Sequence, residues 1–287
     1  MRKLLLGAAA ISLSGCSFLG IGGHSSYQGY QPAPVYGGGY ANAGSACAPS
    51  HAVVGQGRCL SRINVEGGIG LSVNTGSTIF EGTNAAGLGA GDSLRDVDFS
   101  EAYEVGRRAE AGLSYALDPV TKITAMGFIE DSNSAGEVNF GTIGGQSLTG
   151  TLSDYEARGV ELGVRRYFAP SPVPVVRSVR PYVEARVGAT RVDDITLNDA
   201  ELGGVAVPGA FALYDGGWIP SAAGLIGFET PVAERTTLGI ETGLRYVGRP
   251  DRDNTNLATI AGGDLEGVND AGARLSVPVM LRGRFRF

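Results

Sequence analysis

From residue 63 to residue 287 the chain repeats one pattern. In segments of about 10–16 residues, apolar side chains take every second position, and small or charged ones fill the positions between. The last segment is the clearest. Leu275, Val277, Val279, Leu281, Phe285 and Phe287 share one parity, and Arg274, Ser276, Met280, Arg282, Arg284 and Arg286 share the other. Side chains of a strand alternate between its two faces, so this pattern separates an apolar wall from a charged one. The same separation recurs at Ile63–Val73, Val105–Tyr115, Val160–Val164, Val179–Ala189 and Leu238–Tyr246. It is less clean near 119–130 and 217–230. No run of 18 apolar residues exists, which excludes a transmembrane helix.

Eight strands account for the pattern, at 63–73, 101–117, 119–130, 154–168, 178–192, 217–230, 234–248 and 272–287. The connections alternate in length. Those at 74–100, 131–153, 193–216 and 249–271 are long. Asp118, the Pro-rich 169–177 and 231–233 are shorter. Membrane barrels of bacteria put apolar side chains outward and polar ones inward, and pair long outer loops with short inner turns. The expectation is an all-β, antiparallel up-and-down barrel over 63–287. A chain with 46 glycines and 18% charged residues suits it. This layout resembles the eight-stranded family typified by the membrane domain of OmpA and by small alphaproteobacterial surface barrels. That resemblance implies an outer-membrane location; the order of long and short connections puts residues 63 and 287 both in the periplasm, and no OmpA-like peptidoglycan-binding domain is expected after Phe287. Phe285 and Phe287 resemble the terminal signal read by the barrel-assembly machinery, although the usual Gly is shifted to Gly283 and Pro278 is unusual in such a strand.

The first 15 residues, MRKLLLGAAAISLSG, give a positive start and a ten-residue apolar run too short to span a bilayer. With Cys16 they end in LSGC, which resembles a lipoprotein cleavage box. The resemblance implies lipidation at Cys16, and Ser17 in place of Asp implies delivery to the outer membrane. Residues 16–62 then read as a lipidated linker. Residues 17–46 are rich in Gly, Tyr, Ser, Pro and Ala and cannot bury a core. They are a flexible tether or a tyrosine-rich contact for peptidoglycan or another envelope protein. Cys47 and Cys59 suit a disulfide in an oxidising compartment. The alternative is a metal site with His51, which lacks a clear fourth ligand.

Inward positions of the expected strands carry Glu66, Glu104, Arg108, Glu110, Glu161, Arg165, Glu184, Arg186, Glu241, Arg245, Arg274 and Arg282. Eight strands enclose only enough space for side chains to fill. Two readings stand: a salt-bridged plug, with Glu241, Arg245, Arg274 and Arg282 meeting across one seam, or a narrow gated pore for small solutes or ions. Acids outnumber bases in all four long connections, which together are more negative than the whole chain at −6. They read as solvated loops or as sites for divalent cations beside lipopolysaccharide; DRDNTN at 251–256 loosely resembles a calcium loop without its Gly and distal Glu.

The only histidines, His24 and His51, lie outside 63–287, which argues against a His-dependent hydrolase. Net negative charge argues against nucleic acid. The sequence therefore predicts a non-enzymatic barrel without metal or cofactor. Its expected partners are outer-membrane lipids, lipopolysaccharide and the assembly machinery.

Overall fold

A computed structural model describes residues 62–85, 88–89, 91–169, 178–253 and 267–286. Cys16, Cys47, Cys59, both histidines, Phe287 and the segments 1–15 and 16–61 lie outside the described residues.

Eight long strands close into an antiparallel barrel: β1 Ile63–Asn74, β2 Gly106–Ala116, β3 Thr121–Ser132, β4 Tyr155–Tyr167, β5 Arg180–Val192, β6 Gly217–Pro231, β7 Thr236–Val247 and β8 Arg274–Arg286. Each pairs with its sequence neighbours, and β1 pairs with β8 to close the ring, with Val65 opposite Phe285 and Leu71 opposite Val279. Closure leaves no free sheet edge. Among the described residues no helix is long and apolar enough to cross a membrane.

Alternation decides what each wall shows. Ile69, Ile129, Val160, Leu162, Ile240 and Leu281 project outward and are well exposed. Glu66, Glu110, Arg165 and Arg186 project inward and are buried. This inverts the arrangement of a water-soluble barrel, where the apolar side chains would be inside.

The sequence expected the second strand to begin at residue 101; it begins at Gly106. Residues Phe99–Ala102 instead form one helical turn, with Phe99 and Ala102 buried three residues apart on one face. Ala102 and Tyr103 are then both buried and Glu104 and Val105 both exposed, so parity counted back from Arg108 fails upstream of Gly106.

A larger difference lies at the barrel end that carries the long connections. They are not simply solvated. Strands Ser93–Leu94, Glu137–Ile143, Gln146–Leu152, Ile195–Leu202, Phe211–Asp215 and Asp251–Arg252 form a second sheet, with Val205–Ala206 paired alongside Ile195–Leu202. A two-stranded ribbon, Thr78–Phe80 with Val97–Asp98, lies apart from that sheet. Together they form a cap around one apolar cluster that includes Ile79, Phe140, Leu148, Leu197 and Leu213, each 0–1% exposed. Phe80 and Phe140 meet edge to face at 4.8 Å, a favoured aromatic geometry.

Several loop carboxylates accept backbone hydrogen bonds inside this cap. Asp92 receives Gly89 N at 2.5 Å and Gly144 N at 2.6 Å, Asp154 receives Ser134 N at 2.8 Å, and Asp194 receives Gly216 N at 2.7 Å. Short polar side chains are suited to satisfying loop amides in this way. Among the described residues no group of three or more acids, histidines or cysteines is arranged to hold a metal ion.

Candidate functional site: the charged lumen

Inward positions on the eight strands bring seven carboxylates and eight cations into the barrel interior. The carboxylates are Glu66, Glu110, Glu130, Glu161, Glu184, Glu229 and Glu241; the cations are Arg108, Lys122, Arg165, Arg186, Arg245, Arg274, Arg282 and Arg284. All are at most 8% exposed. Ionised groups out of water need opposite charges and hydrogen bonds around them, and the lumen supplies both.

Glu110 on β2 is the hub. It accepts Arg108 Nε at 2.7 Å, Arg245 Nη2 at 2.6 Å and Arg186 Nη1 at 2.9 Å, and it also pairs with Arg282. Glu161 on β4 receives Arg245 Nη1 at 2.5 Å, Arg108 at 3.3 Å and Arg186 at 3.4 Å. Glu184 on β5 is bound by Arg165 Nε and Arg186 Nε, each at 2.7 Å, and by the Thr124 hydroxyl at 2.6 Å. Glu66 on β1 takes Arg165 at 2.9 Å and Arg282 at 3.3 Å. Ion pairs thus tie six strands, β1, β2, β4, β5, β7 and β8, across the interior, and the Thr124 hydroxyl adds β3.

Two further layers bound this centre. Toward the cap, Glu130 pairs with Arg108 at 2.7 Å and with Arg274 at 2.6 Å, while Arg274 Nε donates to Asn74 Oδ1 at 2.6 Å. The Arg274 guanidinium lies 4.3 Å from the centre of the Tyr155 ring. Tyr155 in turn packs against Phe99 and Tyr103 of the cap core. Toward the short turns, Arg284 holds Glu229 at 2.7 Å and donates to the Tyr167 hydroxyl at 2.6 Å. Lys122 Nζ sits 5.1 Å from the Tyr167 ring.

Backbone design makes room for these long side chains. A Cβ at Gly163 would stand 2.8 Å from Arg186 Cγ, 2.6 Å from Thr124 Oγ1 and 2.9 Å from the Ala185 carbonyl. A glycine there lets the Arg186 stem cross the lumen. A space of only 10 Å³ remains among Glu66, Arg165, Tyr182, Arg282 and Arg284, about room for one water.

Eleven of the twelve residues assigned to the lumen from sequence are placed there. Glu104 is the exception. It precedes β2, is exposed, and its carboxylate accepts a 3.4 Å hydrogen bond from Asn133 on the rim. The start of β2 at Gly106, after Glu104 and Val105 that are both exposed, explains the error. Of the seam expected, the Glu241–Arg282 pair is present and the other partners differ. Glu241 accepts the Tyr182 hydroxyl at 2.9 Å and pairs with Arg282 at 3.0 Å and Arg186 at 3.4 Å. Arg245 goes instead to Glu110 and Glu161, and Arg274 to Glu130. Four residues along a strand span roughly 13 Å, too far for Glu241 and Arg245 to meet.

Glu130, Glu229, Lys122 and Arg284 belong to the same interior and were not singled out. Their parity was legible: Lys122, Thr124, Met126, Phe128 and Glu130 alternate with Ile123, Ala125, Gly127 and Ile129. Small outward residues and apolar inward ones blurred that strand.

No family model matches the chain, and no curated protein matches it. Among solved structures it is similar to Neisserial surface protein A (13% identity, 79% of this chain and 99% of that one, TM-score 0.42). It is also similar to the outer membrane protein OprG from Pseudomonas aeruginosa (13%, 78% and 95%, TM-score 0.37). A third is Ail, the attachment invasion locus protein of Yersinia pestis (10%, 78% and 98%, TM-score 0.34). At these identities the likeness is one of fold alone.

Proposed function

We propose that this chain is a structural and surface-interaction barrel of the bacterial outer membrane, with a closed lumen and its folded cap presented to the exterior. The observation that carries this reading is the inverted wall: apolar outside, ion-paired inside. The apolar zone has the right height. On β4 it runs between outward Arg158 and Arg166, roughly 27 Å along the strand at about 3.4 Å per residue. A tilt of about 40° reduces that to roughly 21 Å, near the ~25 Å band of membrane barrels. Exposed aromatics mark both limits. Tyr115, Phe168, Phe228 and Phe285 lie toward the short turns, and Trp218 and Tyr246 toward the cap. Tyr and Trp favour membrane–water boundaries because one end of each ring system is polar.

In this reading the short turns and the end of β8 face the periplasm, on the same side as a lipid on Cys16. A Cys47–Cys59 disulfide and a tether through residues 16–62, with peptidoglycan as one contact, complete the proposed envelope anchoring. Lipopolysaccharide and outer-membrane lipids surround the wall, and Phe285 with Phe287 serves the assembly machinery. Catalysis has no place in it, since the interior holds arginine–glutamate pairs rather than a nucleophile beside a base.

The test combines fractionation and conductance. The expected result is a heat-modifiable band in outer-membrane fractions, cap cleavage by protease on intact cells, and no stepwise current in planar bilayers. Recovery in the soluble fraction would overturn the membrane reading, and stable stepwise currents would favour the pore.

A further inference from the structure

The outer wall is apolar through its middle, and near the cap β3 to β5 carry two ordered rows of charge that reach Trp218 on β6. Arg158 on β4 stands directly opposite Arg191 on β5, and Arg191 directly opposite Trp218 on β6. Both arginines are exposed and point outward. Like charges directly opposite on paired strands repel. Among the described residues neither arginine forms an ion pair or a side-chain hydrogen bond.

One step nearer the cap, β3 to β5 carry a row of the opposite sign, bounded on β2 by the exposed Arg107, which stands opposite Asp131. Asp131 on β3 stands opposite Glu156 on β4. Asp193 continues β5 beyond its last barrel residue, its amide bonded to the Glu156 carbonyl at 3.1 Å. Among the described residues these three carboxylates form no ion pair either. A concavity of 280 Å³ opens between the rows, with Asp131, Glu156, Asp193 and Arg158 in its lining. The rows are two residues apart, about 6.8 Å along the strand, or roughly 5 Å in height after a tilt of about 40°.

We propose that this patch binds a zwitterionic lipid headgroup of the phosphoethanolamine type. The proposal rests on the membrane reading above. Arg158 and Arg191 take the phosphate, the guanidinium geometry being suited to bidentate oxygen contacts. Asp131, Glu156 and Asp193 take the ammonium. The order of the rows matches the headgroup, whose phosphate lies nearer the acyl chains and whose amine lies further out. Below the arginines, Val160, Leu162 and Val187 give the chains an apolar wall, and Trp218 flanks the phosphate level. A phosphate without an amine leaves three carboxylates facing an anion, so charge complementarity favours the zwitterion.

The experiment places the full chain in nanodiscs of equal parts phosphatidylethanolamine, phosphatidylglycerol and phosphatidylcholine. Native mass spectrometry then reads the lipids that stay bound. Wild type should retain phosphatidylethanolamine over phosphatidylglycerol by about threefold, the size expected of one or two exposed ion pairs. Arg158→Gln with Arg191→Gln should return the bound lipid to the bulk composition. Asp131→Asn with Glu156→Gln should reverse the preference toward phosphatidylglycerol. Bound lipid at bulk composition in wild type overturns the proposal, as does displacement of phosphatidylethanolamine by an equal mole fraction of lipid A with magnesium. All four substitutions lie on the outer wall, away from the lumen network. If a variant fails to fold, the wild-type ratio alone still decides. Failure of the membrane reading would look different: the wild type itself would not enter nanodiscs.

Discussion

The barrel and its cap solve the same problem with opposite chemistry. In the cap, about two dozen apolar residues such as Phe140, Leu197 and Leu213 exclude water from one cluster. Inside the barrel glutamate and arginine predominate among the buried residues, with a few apolar ones such as Met126 and Met280, and direct ion pairs do most of what apolar contact does in the cap. The wall explains the choice. When the outside of a sheet is apolar, alternation leaves the inside polar, and a narrow interior must neutralise what it encloses. The cap has no apolar exterior to satisfy and can put its hydrophobes inward. The two cores meet where Tyr155 receives Arg274 on one side and Phe99 and Tyr103 on the other. At that seam an aromatic face contacts a cation, an interaction stronger when water is excluded.

If the lumen is held by charge and the cap by apolar burial, substitutions in each should fail differently. The largest effect on the barrel is expected at the hub. Glu110→Ala takes one carboxylate from each of four buried arginines, which keep their other partners, and should destabilise the barrel by about 3 kcal/mol, the low end for a partner removed from a buried pair. Loss of the heat-modifiable gel shift at a much lower temperature checks this, and Glu110→Gln should fall between. A melting temperature equal to wild type would mean that water already screens the lumen. Phe140→Ala should cost about 3–5 kcal/mol, but locally in the cap. Protease should then cut the cap connections while the barrel keeps its folded mobility. If both collapse together, the two cores are one cooperative unit.

Smaller effects refine the contrast. Gly163→Ala forces a Cβ against Arg186 and should cost about 1–3 kcal/mol. Gly127→Ala, outward on β3 with its nearest neighbour at 3.7 Å, should be nearly neutral in the same gel-shift assay. Equal effects would mean that room for arginine stems is not what Gly163 provides. The smallest effect is expected at the exposed Arg95–Glu101 pair of the cap. The hydrogen bond from Arg95 holds the Glu101 carboxyl below its ordinary value of 4.5. Its contribution, about 0.2–0.5 kcal/mol after screening, is present at neutral pH and lost as pH falls below that range. Arg95→Ala should therefore lower cap protection slightly at pH 7, and by less as acid protonates Glu101, leaving only the loss of the Arg95 hydrogen bond to the Asn139 carbonyl.

The eight long strands were legible because each repeats a two-residue period for a dozen residues, and because the wall must be apolar throughout. The interior charges followed from the same parity. Glu104 misled because β2 begins only at Gly106 and the two residues before it, Glu104 and Val105, are both exposed; nothing in the alternation of Val105 to Tyr115 announces that start. Cap strands carried the same signal over shorter spans: Val138 and Phe140, Leu148 and Leu152, Ile195 and Leu197. Abundant aspartate concealed it, since much of that aspartate serves the loops' own amides. Which glutamate meets which arginine was not legible. Ring closure brings together strands far apart in sequence, and side-chain length lets each guanidinium choose among several carboxylates.

Ion pairs that cross the lumen bear on how the molecule is built. Glu110 on β2 meets Arg245 on β7, and Glu66 on β1 meets Arg165 on β4. A hairpin or half-sheet made from the first strands would hold glutamates whose counter-charges are still unfolded, and it could not enter a lipid phase without carrying them bare. Incomplete intermediates are therefore penalised by the same charges that stabilise the finished ring. Closing β1 against β8 and neutralising the interior are thereby coupled, because these pairs are complete only when the ring is.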